Sequence, residues 1–451
     1  MATVTVESHN PWSGERVFHT EPADREQVAA AVGRAEAAQP GWWARPVSER
    51  TELLHRFADE VDRSAGDLAD LIVAEVGKLR EEAAAEVAWM AISARWYGDH
   101  PPADEHAGAL VRRVPLGVVA AITPWNVPLV TPGWKWLPAL MAGNTVVWKP
   151  SEVSTATAMA TRELADAAEL PRDVLQVVAG GSDTGAALCA DERVDGVHFT
   201  GSTAAGRAVA RQVVDRFARY SLEMSGINVA VVFADADVDE AAEAIVASAT
   251  AINGQKCSAV RQVLVERRAE PALLEALRAR VASLEPGDPA DPGTRLGPLI
   301  HSRAADHARQ AVRSAVERGA RISAQSVEVD DVAAAFPATV LTQVAAGDPL
   351  RTTELFAPVL AVDSFDDPAA VWDRANDTPY GLTAAIHTTD AATVEAGLQR
   401  LRTGVVAINR RSDDVALEAP FGGCKASGSG APEGGSYVYD GLTVRQAVYG
   451  L

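Results

Sequence analysis

Cysteine is scarce in this chain: Cys189, Cys257 and Cys424 are the only three in 451 residues. An odd, sparse set with no CxxC spacing builds neither a disulfide framework nor a thiolate metal centre, and it fits a reducing cytoplasm. Lysine is almost as rare, confined to Lys78, Lys135, Lys149, Lys256 and Lys425. Positive charge is short overall. Forty-one Lys and Arg stand against sixty-one Asp and Glu, a formal net charge of −20, which argues against nucleic acid and anionic membrane as partners. Long apolar runs are missing too. The longest, around Pro115 to Ile122, is too short to cross a bilayer. The first eight residues lack the basic-then-apolar order of a secretion signal. No low-complexity tract interrupts the chain, and 47% of it is hydrophobic. That is enough for the core of one large or two ordinary domains.

The periodicity supports a mixed α/β architecture. Residues 1–20 read as a polar strand and turn. Apolar residues at three- and four-residue steps predict helices at 24–38, 47–76 and 79–98. From Gly117 onward, short apolar strands at 117–122, 144–148, 174–178 and 196–199 alternate with helices at 131–142, 154–169, 183–190 and 203–216. That alternation means βαβ units and a parallel sheet, whose ligands sit at the carboxyl ends of the strands. After Glu223 a second α/β region begins, with a strand at 229–233 and a helix at 238–252. Further strands are expected near 260–266, 338–342, 358–364, 382–387 and 404–409, with helices between them. The tail from Tyr437 to Val448 reads as an edge strand suited to pairing with another subunit.

One stretch draws attention: Gly254-Gln255-Lys256-Cys257-Ser258-Ala259. A lone cysteine is more often a buried small hydrophobe than a nucleophile. Here its flanks are polar, and it sits at a helix-to-strand corner. Glu223 ends a strand thirty-four residues earlier. A thiol and a separate carboxylate base are what a covalent two-step reaction needs. Three strand ends carry further candidates. Phe199-Thr200-Gly201-Ser202 leads into a helix whose free N–H groups can hold a phosphate, although a plain capped turn reads the same way. Trp148-Lys149-Pro150-Ser151-Glu152 places Lys149 and Glu152 where ribose hydroxyls could be gripped, or simply starts a helix. Asn126, between Pro124 and Pro128, could donate to a developing oxyanion, or sit in a proline-rich turn.

Taken together, and in this order, these motifs resemble the aldehyde dehydrogenases over essentially the whole chain. The resemblance extends to Leu296-Gly297-Pro298-Leu299, Glu354-Leu355-Phe356-Ala357-Pro358 and Pro420-Phe421-Gly422-Gly423-Cys424-Lys425. It implies a Rossmann-type cofactor domain at 1–98 and 115–224, a catalytic α/β domain at 225–425, and a small β oligomerisation arm at 99–114 and 426–451. It implies Cys257 as nucleophile, Asn126 in the oxyanion hole and Glu223 as the base that activates water. It implies cofactor contacts from Thr123, Trp125, Lys149, Ser151, Glu152, Gly181, Phe199, Gly201, Ser202, Glu354 and Phe356. Glu152 leans toward NAD over NADP, because a carboxylate there repels a 2′-phosphate. No metal is implied. The product is a free acid, since members that acylate coenzyme A lack the Glu223 base. Acyl reduction in the reverse direction, and a retired fold kept for binding, are the alternatives. The partners expected are a small aldehyde and further copies of the chain, as a homodimer or homotetramer.

Within the superfamily, Gln255-Lys256-Cys257, Ile408-Asn409-Arg410 and the tail from Ser427 resemble the glutamate semialdehyde (1-pyrroline-5-carboxylate) dehydrogenase branch. The substrate loop departs from it. Arg411, Ser412, Asp413 and Asp414 stand where that branch carries a Thr-Thr-Gly type sequence. Their carboxylates suggest an aldehyde that is neutral or carries an amine. Ser225, Ile227 and Ala357 also depart from the family pattern.

Overall fold

The computed structural model describes residues 5–450; the first four residues of the 1–20 stretch lie outside it. Two large sheets organise the chain. The first has six strands in the order Gly428–Ser429, Arg219–Glu223, Val194–Thr200, Val118–Ile122, Thr145–Lys149 and Leu175–Val177. All pairings are parallel except that of Gly428–Ser429. The chain runs outward from Val118–Ile122 through the next two strands. It then returns to the other side of Val118–Ile122 at Val194–Thr200. The strand order therefore reverses between these two neighbours, and ligands bind in the crevice beyond their carboxyl ends. Residues on Val118–Ile122 alternate between two cores. Val119 and Ala121 pack with helices Val47–Arg63, Arg80–Asp99 and Val130–Met141, and Val118, Ala120 and Ile122 pack on the opposite face. A sheet buried on both faces needs such near-continuous apolar strands.

The second sheet has seven strands in the order Arg321–Gln325, Thr339–Thr342, Val359–Phe365, Val260–Glu266, Asn228–Val232, Thr383–His387 and Val405–Ile408. Only the first pair is antiparallel. Its amino ends face the carboxyl ends of the first sheet across a long cleft.

Several expectations change in detail. The helix read at 47–76 is two, Val47–Arg63 and Ala65–Val76, broken at Ser64, whose backbone leaves the helical region. The first helix runs past 38 to Ala44. It carries Pro40 inside it and is started by a capping box between Asp24 and Gln27. The strand Arg321–Gln325 has no counterpart in the reading of periodicity. The edge strand read at Tyr437 to Val448 is shorter: Gly435–Leu442 is helical, and the strand is Thr443–Val448. That strand pairs within the chain with Leu110–Pro115, and its outer edge stays open. Among the described residues no helix is long and apolar enough to cross a membrane.

Candidate active site

Cys257 is placed by the turn before it. Helix Val238–Thr250 ends at an irregular turn in which Ile252 and Asn253 both adopt left-handed backbone, φ 51° and 54°. Such residues persist only where their surroundings hold them. The Glu82 carboxylate accepts from the Ile252 N–H at 2.7 Å. The Asn253 amide donates to the Gly77 and Pro298 carbonyls at 3.0 Å each, and accepts from the Gly297 N–H at 2.6 Å. Gly254 follows at φ +76°, and a Cβ there would lie 2.3 Å from the Pro358 nitrogen. Beyond the thiol, Asn228 donates to the carbonyls of Cys257 and Ala259 at 2.8 Å each.

Around the thiol stand the other sequence candidates. Asn126, in the loop after strand Val118–Ile122, is buried and donates to the Gln255 carbonyl at 2.8 Å. Glu354 accepts from the Gly226 N–H at 3.1 Å. Phe356, itself left-handed at φ 55°, meets Trp125 edge-on at 5.7 Å. Burial pushes the Cys257 thiol up to about 12; Glu354 pushes the same way and the Lys256 ammonium opposes it.

Glu223 stands just behind the cleft wall, not on it. It ends its strand under Gly422, whose Cβ position lies 2.8 Å from Glu223 Oε1, and its Oε2 has no hydrogen-bond partner. Burial raises its carboxyl to about 8, against the opposing pull of Lys135 and the Gly423 N–H. Lys135 is the main residue that the sequence reading missed. It is buried on an otherwise apolar helix, donates to Thr200 Oγ1 at 2.6 Å and forms an ion pair with Glu433. Burial brings its ammonium down to about 7. One of five lysines, interrupting Trp134 and Trp136, was the available signal.

The cofactor-type residues converge on one cavity of about 1160 Å³, shared with Cys257 and Asn126. That exceeds the roughly 300–1,000 Å³ usual for a single small ligand and leaves room for two. At its far end Lys149 lies 3.7 Å from Glu152. A Cβ on Gly181 would stand 3.2 Å from Glu152 Oε1, and one on Gly201 would strike the Phe199 ring at 2.7 Å, so a side chain at either would displace these neighbours on the cavity wall. Ser202 caps helix Thr203–Val214 by accepting from the Ala205 N–H, and Ser202 and Ala205 line the cavity at that helix's start. Trp148 donates to Thr123 Oγ1 at 2.8 Å, fixing that strand end. Ser151, Thr123 and Trp125 also line the wall. These residues fit a dinucleotide.

In the loop at 411–414, Arg411, Asp413 and Asp414 line the cavity. Ser412 does not face the cavity: it is fully buried, hydrogen-bonded to Ser248 at 3.0 Å and to the Ser258 carbonyl at 3.0 Å. Asp413 is buried between Lys256 at 2.7 Å and the Arg411 guanidinium at 2.7 and 3.0 Å. Burial alone would raise its carboxyl, yet these two cations hold it down to about 2. Asp414 pairs with Arg410 at 3.1 Å. The Asp413 carboxylate is thus paired inside the protein, whereas Asp414 is exposed and lines the cavity beside Arg411.

A parallel-sheet crevice with a dinucleotide-sized cavity that ends on a thiol defines a nucleotide-dependent oxidoreductase. The comparisons with known proteins give the family. Residues 2–448 match the description "Aldehyde dehydrogenase family", and the chain belongs to it. It is 36% identical over 452 residues to the (Z)-2-((N-methylformamido)methylene)-5-hydroxybutyrolactone dehydrogenase of Acinetobacter baylyi, covering 97% of this chain and 92% of that protein. It is 34% identical to the succinate-semialdehyde dehydrogenase [NADP(+)] of Escherichia coli, covering 99% and 94%. The crystal structure of lactaldehyde dehydrogenase from Escherichia coli superposes with a TM-score of 0.95 at 30% identity, covering 99% and 95%. The chain is an NAD(P)-dependent oxidoreductase that acts on aldehydes.

Proposed function

We propose that this enzyme oxidises an aldehyde to a free carboxylic acid through a covalent intermediate on Cys257. The observation that carries the reading is the convergence of Cys257, Asn126 and Glu354 on one cavity, with Glu223 directly behind it. The Cys257 thiolate attacks the carbonyl carbon, and the resulting oxyanion is held by the Asn126 amide and the Cys257 N–H. NAD(P)⁺, when bound, supplies the hydride acceptor. Lys149, Ser151 and Glu152 hold its adenosine end, Gly201 and Ser202 its phosphates, and Glu354 and Phe356 its nicotinamide end. Glu152 favours NAD, because a 2′-phosphate would face its carboxylate.

Glu223 then takes a proton from the water that hydrolyses the thioester. Its lack of a partner on Oε2 leaves that oxygen free to accept. Lys135 acts on it through charge and is itself held by Thr200 and Glu433, which line the cavity.

The aldehyde's tail lies among Trp89, Val127, Trp134 and Phe421 and ends near Arg411. With Asp413 paired inside the protein and Arg411 on the cavity wall, a carboxylate tail is acceptable there as well as a neutral one. The relatives named above act on a neutral hydroxylactone and on a carboxylate-bearing semialdehyde, in keeping with both.

We further propose a cytoplasmic homodimer or homotetramer, joined through the open edge of Thr443–Val448. The test of function is NADH formation across a panel of neutral, amino- and carboxylate-bearing aldehydes, with acid as the product. No NADH from any of them would overturn the reading, as would unchanged activity in Cys257→Ala.

A further inference from the structure

Arg261 lies under the nucleophile, 5% exposed, on the strand that leaves it. Its hydrogen bonds go to backbone carbonyls: Ala357 at 2.7 Å, Lys256 at 3.4 Å, and Gly254 in close contact. Nε has no partner. A guanidinium taken out of water without a carboxylate fork is costly, so its retention asks for a reason. Two features supply one.

The three carbonyls belong to two separate segments. Gly254 and Lys256 flank the turn that presents the thiol, and Ala357 follows the Glu354–Phe356 segment. Arg261 therefore ties these segments at a fixed spacing. The second feature is the geometry of the peptide between Lys256 and Cys257. In a trans peptide the C=O and N–H point in opposite directions. The Lys256 carbonyl is drawn inward by Arg261 and by the Ala259 N–H at 3.1 Å. The Cys257 N–H is thereby turned away from Arg261 and lies against its own thiol.

Asn228 anchors the following carbonyl, that of Cys257, from the other side. The charges that act on Arg261 are the nearby Glu354 carboxylate and Cys257 itself. A thiol buried beside two carboxylates needs positive charge close by to ionise, and Lys256 is already shared with Asp413.

We propose that Arg261 is a positioning residue for the nucleophile: it orients the Cys257 N–H toward the oxyanion and supplies buried positive charge that favours the Cys257 thiolate. It touches neither substrate nor cofactor. The proposal rests on the reading of Cys257 as the nucleophile, but its test does not require turnover. The measurement is the pH dependence of Cys257 alkylation by iodoacetamide, with the modified peptide identified by mass spectrometry, in wild type, R261K and R261M.

In R261M the midpoint rises by about one pH unit, so that alkylation at pH 7 is about tenfold slower. In R261K, which keeps the charge, the midpoint stays at the wild-type value. A folded R261M with the wild-type profile overturns the proposal. Should R261M not fold, the neutral, hydrogen-bonding R261Q takes its place: a midpoint raised by about one unit upholds the proposal, and the wild-type midpoint overturns it. Absence of NADH from every aldehyde in wild type would defeat the functional reading instead. A midpoint that still moves in R261M would leave the role of Arg261 standing.

Discussion

At the scale of single residues, Glu223 shows how burial sets chemistry. Its carboxyl lies in a dry pocket with only partial compensation from Lys135, which raises it to about 8. A base acts only when deprotonated. If hydrolysis of the acyl-enzyme limits turnover, the rate should rise about tenfold per pH unit below 8 and level off above it. A pH profile of steady-state NADH formation checks this; a plateau already reached at pH 6 would contradict it. Glu223→Gln keeps the shape and removes the base. Its expected signature is a first-turnover burst of NADH close to one equivalent, followed by a steady rate lowered by about 10²–10⁴. Stopped-flow absorbance separates the two phases. Loss of the burst along with the steady rate would place Glu223 in an earlier step.

At the scale of elements, the turn Ile252–Gly254 and the loop Arg410–Asp414 define the approach to the thiol. Gly254 has no room for a side chain and stands at positive φ. Gly254→Ala should destabilise the protein by at least about 1–3 kcal/mol and lower kcat, because relief of the clash moves the segment that carries Cys257. Thermal unfolding and kcat together test this; an unchanged melting temperature would refute it. In the loop, Asp413 occupies both Lys256 and Arg411. Asp413→Asn frees two cations near the substrate's tail. Its expected effect is a several-fold gain in kcat/KM for carboxylate-bearing over neutral aldehydes, together with a lower melting temperature from the broken buried pair. Paired kinetics on a matched acid and neutral aldehyde reads the ratio. A ratio shifted toward the neutral aldehyde would count against Arg411 as the tail contact.

At the scale of the whole molecule, the open edge of Thr443–Val448 predicts self-association. Light scattering in dilute buffer should give the mass of two or four chains, and a monomeric mass would remove the basis for the oligomer. Much of this architecture was legible beforehand. The alternation of short apolar strands with amphipathic helices gave both α/β regions, because a strand covered on both faces must be apolar throughout. Cys257, Asn126 and the Lys149–Glu152 motif were legible because each interrupts that alternation at a strand end or corner. Lys135 and Glu433 were not, since nearly three hundred residues of sequence separate the two ends of their ion pair. The pairing of Asp413 was not legible for the same reason. Sequence shows Asp413 and Asp414 as charges in a row, whereas Lys256, 157 residues away along the chain, pairs with Asp413.

By itself, then, the sequence determined the class of fold and the family, both of which follow from local pattern and motif order. Only the tertiary structure decided the electrostatics. Whether Glu223 is a stronger or weaker acid, whether the loop is acidic or neutral, and which charge sits under Cys257 depend on which side chains are removed from water together. That is set by the packing of distant segments and is not written in their spacing.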